Sequence, residues 1–308
     1  MSHRMTKIQG AWIGVWIALL IAPGRLAAAQ SAGLPKEADL RAEIARLVRP
    51  GGAEVSVAAS TLEGGSDAFS FYLDADKTYH AASTMKIPVM IELFAQAKAG
   101  KLRLDDSLPV SNEFHSLADG GVFTLDPKDD SDDDVYKAIG QTMTLRDLCE
   151  HMITRSSNLA TNLLIEKLGV ENIQRTVHQL DADGMQVLRG VEDGKAFERG
   201  MNNTTTARGL LVLMRAIAEG QAVGPGASRE MVEILKRQQF KEAIPAGLPS
   251  GTGVAHKTGE ITGIHHDAAI VYAPRPFVLV ILVRGINDRD KSSALMAQIT
   301  RTVYQAIQ

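Results

Sequence analysis

The sequence predicts an α+β fold: an antiparallel five-stranded sheet formed from both termini, flanked by helices, with a mainly helical subdomain on one side. Three observations predict it. Strand signals rich in β-branched and aromatic residues occur early, as "AEVSVAAST" and "DAFSFYLDA", and return only near the end, as "VAHKTGE", "HHDAAIVYA" and "FVLVILVRGI". The stretch between them has mostly helical periodicity. A chain of 308 residues, 45% hydrophobic and 22% charged, is long enough for one large domain with a real core.

The first 29 residues stand apart. "MSHRMTKIQG" is basic and free of acids, "AWIGVWIALLIA" is apolar, and Ala27-x-Ala29 offers a cleavage site, the pattern of a signal peptide. The apolar run is shorter than the ~20 residues a spanning helix needs. The expectation is an exported protein, periplasmic or secreted, with a mature start near Gln30. Cleavage removes Arg4, Lys7 and Arg25 and moves the formal charge from −3 to −6. That mild acidity, with no basic stripe, argues against a nucleic-acid partner. Cys149 is the only cysteine, so no internal disulfide is expected, and no lipid anchor near residue 30. A soluble monomer with no stable membrane anchor is the expected state.

Within a single domain over 30–308, the α/β part is expected at about 36–82 and 245–308 and the helical part at about 83–244. Residues 37–48 read as a helix, and 53–61 and 67–75 as a hairpin around "EGG". "TLRDLCEHMIT", "LATNLLIEKLG" with Gly169 as its stop, "TTARGLLVLMRAIAEG" with a Thr cap, and "SREMVEILKRQQ" read as helices. A last helix covers about 290–307. The run "DPKDDSDDD", Asp126 to Asp134, reads as a solvated acidic loop, because the spacing and closing Glu of an EF-hand are missing.

Three short patterns can carry chemistry. In "YHAASTMKIPVM", Ser83 stands at a helix start with its N–H free for a ligand, and Lys86 lies one turn on, on the same face. A lysine whose pKa is lowered can take the proton of a serine that is otherwise a poor nucleophile. In "TRSSNLATNLL", Ser156 and Asn158 lie between two helices, where a plain N-cap is the alternative. In "AHKTGEITG", Lys257, Thr258 and Gly259 fall on an edge strand. Each pattern alone is uninformative.

Taken together and in this order, Ser-x-x-Lys, Ser-x-Asn and Lys-Thr-Gly resemble the class A β-lactamase-related serine hydrolases, of the β-lactamase and penicillin-binding protein superfamily. The resemblance covers nearly the whole mature chain and implies the β-lactamase/transpeptidase fold. It implies roles as well. Ser83 is acylated, Lys86 helps to deprotonate it, and Ser156 relays a proton to the leaving nitrogen. Asn158 contacts the substrate amide, Lys257 and Thr258 attract its carboxylate, and the N–H groups of Ser83 and Glu260 form an oxyanion hole. No metal or cofactor is implied, and the partner is a small β-lactam or a peptidoglycan peptide.

The pattern is broken in places. The deacylating glutamate would be Glu192 in "LRGVEDGKAFERG", 34 residues after Asn158; a loop acid paired with Arg189 is the alternative. Where the family has an asparagine four residues later, this chain has Ala196. The family's Asp-Thr-Thr is Asn203, Thr204 and Thr205, so the loop's Arg–Asp pair lacks its acid. Ser157 replaces the usual Asp within Ser-x-Asn. His266 stands where an arginine often completes the carboxylate site, and its charge would depend on pH. The side chain of Glu260 should repel a carboxylate unless it turns away. His265 and His266 face opposite sides of a strand, which argues against a shared metal. Cys149 is expected to be an inert core thiol, opposite Met90. The insert between Ser111 and Met143 should approach the cleft from the helical side.

These features leave three readings. The first is an exported β-lactamase that opens the lactam through a Ser83 acyl-enzyme and releases it by water. The second is a penicillin-binding-protein-like peptidase that deacylates slowly. The third is a non-catalytic binding module.

Overall fold

The computed structural model describes residues 35–308 apart from 63 and 65–67. The expected leader and most of the "EGG" turn therefore lie outside the described residues. Helix α1 (Pro35–Val48) precedes β1 (Glu54–Thr61) and β2 (Ser70–Leu73). The other three strands of the main sheet come from the far end: β3 (Gly253–Ile261), β4 (Ile264–Tyr272) and β5 (Phe277–Arg284). The order β2-β1-β5-β4-β3 is antiparallel throughout, with Val55 opposite Val283 and Lys257 opposite Ala268. The five-stranded sheet from both ends is thus present, and β3, which carries Lys257, is its edge.

Both sheet faces are covered, which explains why β5 is apolar at seven consecutive positions instead of alternating. On one face Val57, Ala269, Leu279 and Ile281 pack against Leu295, Met296, Ile299 and Val303 of the last helix (Arg289–Ile307) and against Leu40 and Ile44 of α1. On the other, Ala58, Ile270, Val280 and Leu282 join the core of the helical part. At its centre runs α2 (Lys86–Lys98), "KIPVMIELFAQAK", buried almost all round, with Pro88 in the first turn where a missing N–H costs little.

Around α2 pack α3 (Leu145–Thr154), α4 (Asn158–Leu168) and α5 (Val170–Gln179), while α6 (Ala207–Ala218) lies on the sheet beside α7 (Pro225–Lys236), which also touches α2; the last helix is α8. The Thr cap read from sequence is present, Thr206 capping α6 through its hydroxyl, and the structure adds a second in Thr144, which caps α3. Helix α5 escaped the sequence reading. Gly169, taken as a stop, turns at φ +83° and serves as the last cap of α4 and the first of α5. Helix α7 starts earlier than expected, because Pro225 occupies its first turn. Among the described residues no helix is long and apolar enough to cross a membrane. Cys149 is a buried free thiol, its pKa pushed up by desolvation, in the same core as Met90.

Candidate active site

A cleft opens where the edge strand β3 meets the N-terminal end of α2 and the turn before α4. One recess of about 450 Å³ is lined by Ser83, Ser156, Asn158, Thr258 and Glu260, with Asp129 and Ser131 on the opposite wall. A second adjoins it and reaches His80, Arg189 and Glu192. Ser83 sits in the 3-10 turn Ala82–Met85 that leads into α2, so its N–H precedes the regular ladder. Gly259 passes so close that a Cβ there would lie 2.9 Å from the N of Thr84 and 3.0 Å from that of Ser83. Only glycine lets the strand approach the serine turn this closely.

Strain marks the same place. Five described non-glycine residues have positive φ, and three of them flank the cleft: Ala82 at 45°, Ser156 at 62° and Glu192 at 61°. Each such conformation costs on the order of 1–3 kcal/mol and persists only where the surroundings hold it. Ala82 donates its N–H to Nδ1 of His80 at 3.0 Å, which secures the residue before the serine.

Behind the cleft, Ser156 Oγ lies between two buried amines. It is 3.2 Å from Lys86 Nζ and 3.0 Å from Lys257 Nζ. Lys86 also donates to the Ser156 carbonyl at 2.6 Å and to Asn158 Oδ1 at 2.9 Å, and Lys257 donates to the Thr258 carbonyl at 2.8 Å. Desolvation pulls Lys86 down to about 7, against the pull of the Asp130 and Glu192 carboxylates. The Lys257 amine is driven well below its ordinary value by burial and then by Lys86. Two adjacent cations in a buried pocket are costly, so each amine disfavours the charged form of the other. Among the described residues Ser83 Oγ makes no hydrogen bond, and Lys86 faces the Ser156 turn instead.

The loop that carries Glu192 is held by side chains bonding to backbone. Asn162 bonds both polar groups of Val191. Asn203 Oδ1 accepts from the N–H groups of Leu188 and Arg189, while its Nδ2 donates to the Arg189 carbonyl. Asn203 thus secures the loop backbone and leaves the guanidinium alone. Arg189 is buried over the Phe197 ring, with Nε unpaired, and forms no ion pair with Glu192. Glu192 instead accepts from Asn158 Nδ2 at 3.0 Å, with its pKa raised mainly by desolvation. Ala196 is buried in the one-turn helix Gly194–Glu198 and offers no polar group.

One expectation needs correction. His266 does not reach the cleft: it is fully buried, donates Nε2–H to the His80 carbonyl at 3.0 Å and accepts from Val283 N. It packs edge-on to Tyr79 and is held neutral by burial, its pKa pulled down to about 4. Strand alternation put it on the face turned to the helices, and His265, which bonds Ser292, took the cleft side. The acidic run is exposed along most of its length, as a solvated loop would be, but not throughout. Asp132 is buried against His151 and Arg155, and Asp130 caps α4. Glu260 stays on the recess wall and pairs there with Arg289 at 3.0 Å. His80, Asp129, Asp130 and Ser131 were missed. Only the lack of an acid at Ser157, beside an acid-rich insert, could have pointed to the last three.

Comparison with known proteins agrees with this geometry. A model of the "Beta-lactamase enzyme family" matches residues 39–307. A beta-lactamase of Bacillus licheniformis is 30% identical over 190 residues, covering 56% of this chain and 58% of that protein. One from Bacteroides uniformis is 29% identical over 184 residues, covering 54% of this chain and 61% of the relative. The chain therefore matches about three-fifths of these two relatives' lengths. Among solved structures, a mutant of PBP-A in an acyl-enzyme complex with penicillin-G is 27% identical, with a TM-score of 0.73 over 87% of this chain and 96% of that one.

Proposed function

This chain belongs to the beta-lactamase enzyme family, and we propose that it is an exported serine hydrolase that opens the β-lactam amide through a Ser83 acyl-enzyme and releases it by water. The observation that carries the reading is Ser156 Oγ held between the Lys86 and Lys257 amines, one of them poised at about 7. An amine that is neutral for much of the time can accept the Ser83 proton, directly or through Ser156. Ser156 then passes a proton to the leaving nitrogen. The N–H groups of Ser83 and Glu260 would hold the oxyanion, a donor pair of the kind worth ~3–4 kcal/mol of barrier. Asn158 binds the substrate amide, and Lys257 with Thr258 attracts the carboxylate, Gly259 keeping the strand close. Glu192, bonded to Asn158, is the base for the deacylating water.

Removal of residues 1–29 and export fit the leader pattern, and a monomer of 30–308 is the proposed mature form. A second reading, a peptidase on peptidoglycan peptides that β-lactams block, draws on Ala196, since nothing polar there would help to fix the water.

Intact-protein mass followed against time with a penicillin, beside absorbance of the lactam ring, tests both. A transient adduct with continuing ring loss is expected. A persistent adduct with ring loss stopping at one equivalent would select the peptidase. No adduct and no ring loss would refute acylation by β-lactams.

A further inference from the structure

The mechanism leaves the Asp126–Asp134 segment without a task, yet that segment is built into the site. Asp126 caps the turn Pro127–Asp129, and Asp132 caps the short helix Asp133–Lys137 while bonding His151 Nδ1 at 2.5 Å. Ser131 Oγ donates to the Arg155 carbonyl at 2.6 Å, next to Ser156. These bonds make the segment a strap across the end of α4. At its centre Asp130 Oδ2 accepts from Asn158 N at 2.8 Å and Leu159 N at 2.9 Å, with Ser157 Oγ at 3.5 Å. Its Oδ1 accepts from Asp132 N at 3.2 Å, tying strap and helix together.

We infer that Asp130 is a positioning residue for the site: its carboxylate fixes the Ser156–Asn158 turn and supplies the negative charge that balances the buried lysine amines. The inference rests on the acylation chemistry proposed above. A one-turn displacement here would move Ser156 Oγ and Asn158 Oδ1, both ligands of Lys86, at once. Charge acts together with geometry. The groups facing Lys86 are Asp130 from the strap, Glu192 from its loop and Lys257 from β3, with Asp267 behind Lys257. Around Asp130 itself stand Lys86 and Tyr136, whose phenol is kept protonated by burial and by the Asp130 and Glu192 charges. Of the two carboxylates that favour the charged form of Lys86, Asp130 is the larger contributor.

Two substitutions separate the roles. Asp130→Asn keeps an acceptor oxygen for the two N–H groups and removes the charge. Asp130→Ala removes both. In protein labelled at the lysine Nζ and adjacent carbon, the Lys86 titration can be followed by NMR, its signal assigned by its loss in Lys86→Met. Without the opposing charge the ammonium form is less stable, so the midpoint should fall in Asp130→Asn by about one pH unit. An unmoved midpoint overturns the inference whether or not the enzyme is acylated. Penicillin acylation of Asp130→Ala should be at least ~10-fold slower than that of Asp130→Asn at matched, plateau pH, since small misplacement costs up to ~10²-fold. Equal plateau rates in the two variants would equally overturn it. A wild type that titrates as expected but takes no penicillin would refute the β-lactam reading and leave the Asp130 charge effect standing.

Discussion

The two walls of the cleft are built on different principles. On one, Lys86 and Lys257 are fully buried, Ser156 is clamped between them, and Gly259 brings the edge strand onto the Ser83 turn. Displacing any of these groups disturbs several others. On the other, Glu192 is exposed, its carboxylate bonded by Asn158 and the Asp126 backbone, with no ion pair to Arg189 and an alanine at 196. On the proposed reading, acylation rests on several mutually held groups, whereas water activation depends on one carboxylate. A protein of this design can form its ester reliably and release it at a rate set by few contacts.

Removing the reacting atom breaks the first wall outright: Ser83→Ala should abolish covalent labelling by a fluorescent penicillin, and undiminished labelling would remove the mechanism. Moving the wall is the next test. Gly259→Ala places a methyl against the backbone N of Ser83 and Thr84, and acylation should fall by ~10²-fold, read by stopped flow. A change below twofold would mean the strand gives way without consequence.

The pH response sharpens the contrast further. Burial draws Lys86 down to about 7, and the proposed base acts only when neutral, so acylation should rise with pH through that region, close to tenfold per unit below it. Deacylation should fall on acidification through the raised pKa of Glu192. An acylation rate flat from pH 5 to 8 would exclude Lys86 as the base. Smallest is the effect at His266, which is neutral above about 4 and bonded to the His80 carbonyl. KM should not change between pH 6 and 7 on its account. A KM that climbs through this range and levels off in His266→Gln would restore its role as a carboxylate ligand.

Much of the fold was legible because its signals are local. The seven apolar residues of β5 and the Thr cap of α6 depend on near neighbours in the chain. So did the approximate places of Ser83, Ser156 and Lys257, through short spacings. The failures were tertiary. Nothing local tells that Asp130 reaches across 28 residues to the N–H of Asn158, or that Asp132 is buried under His151. For His266, strand alternation was available, but which face of β4 met the cleft depended on the edge position of β3 and on the packing of Tyr79. Arg289 was equally invisible as the partner that pairs with the Glu260 carboxylate.

The division of labour between the walls is tested most directly by measuring acylation and deacylation rate constants separately in wild type and Glu192→Gln, with intact mass as the readout. The account predicts acylation within a few-fold of wild type and deacylation slower by about 10²–10⁴, so that a stable penicillin adduct accumulates. Unchanged turnover would make Glu192 a loop acid only. Both steps slowed alike would contradict the separation of the two walls.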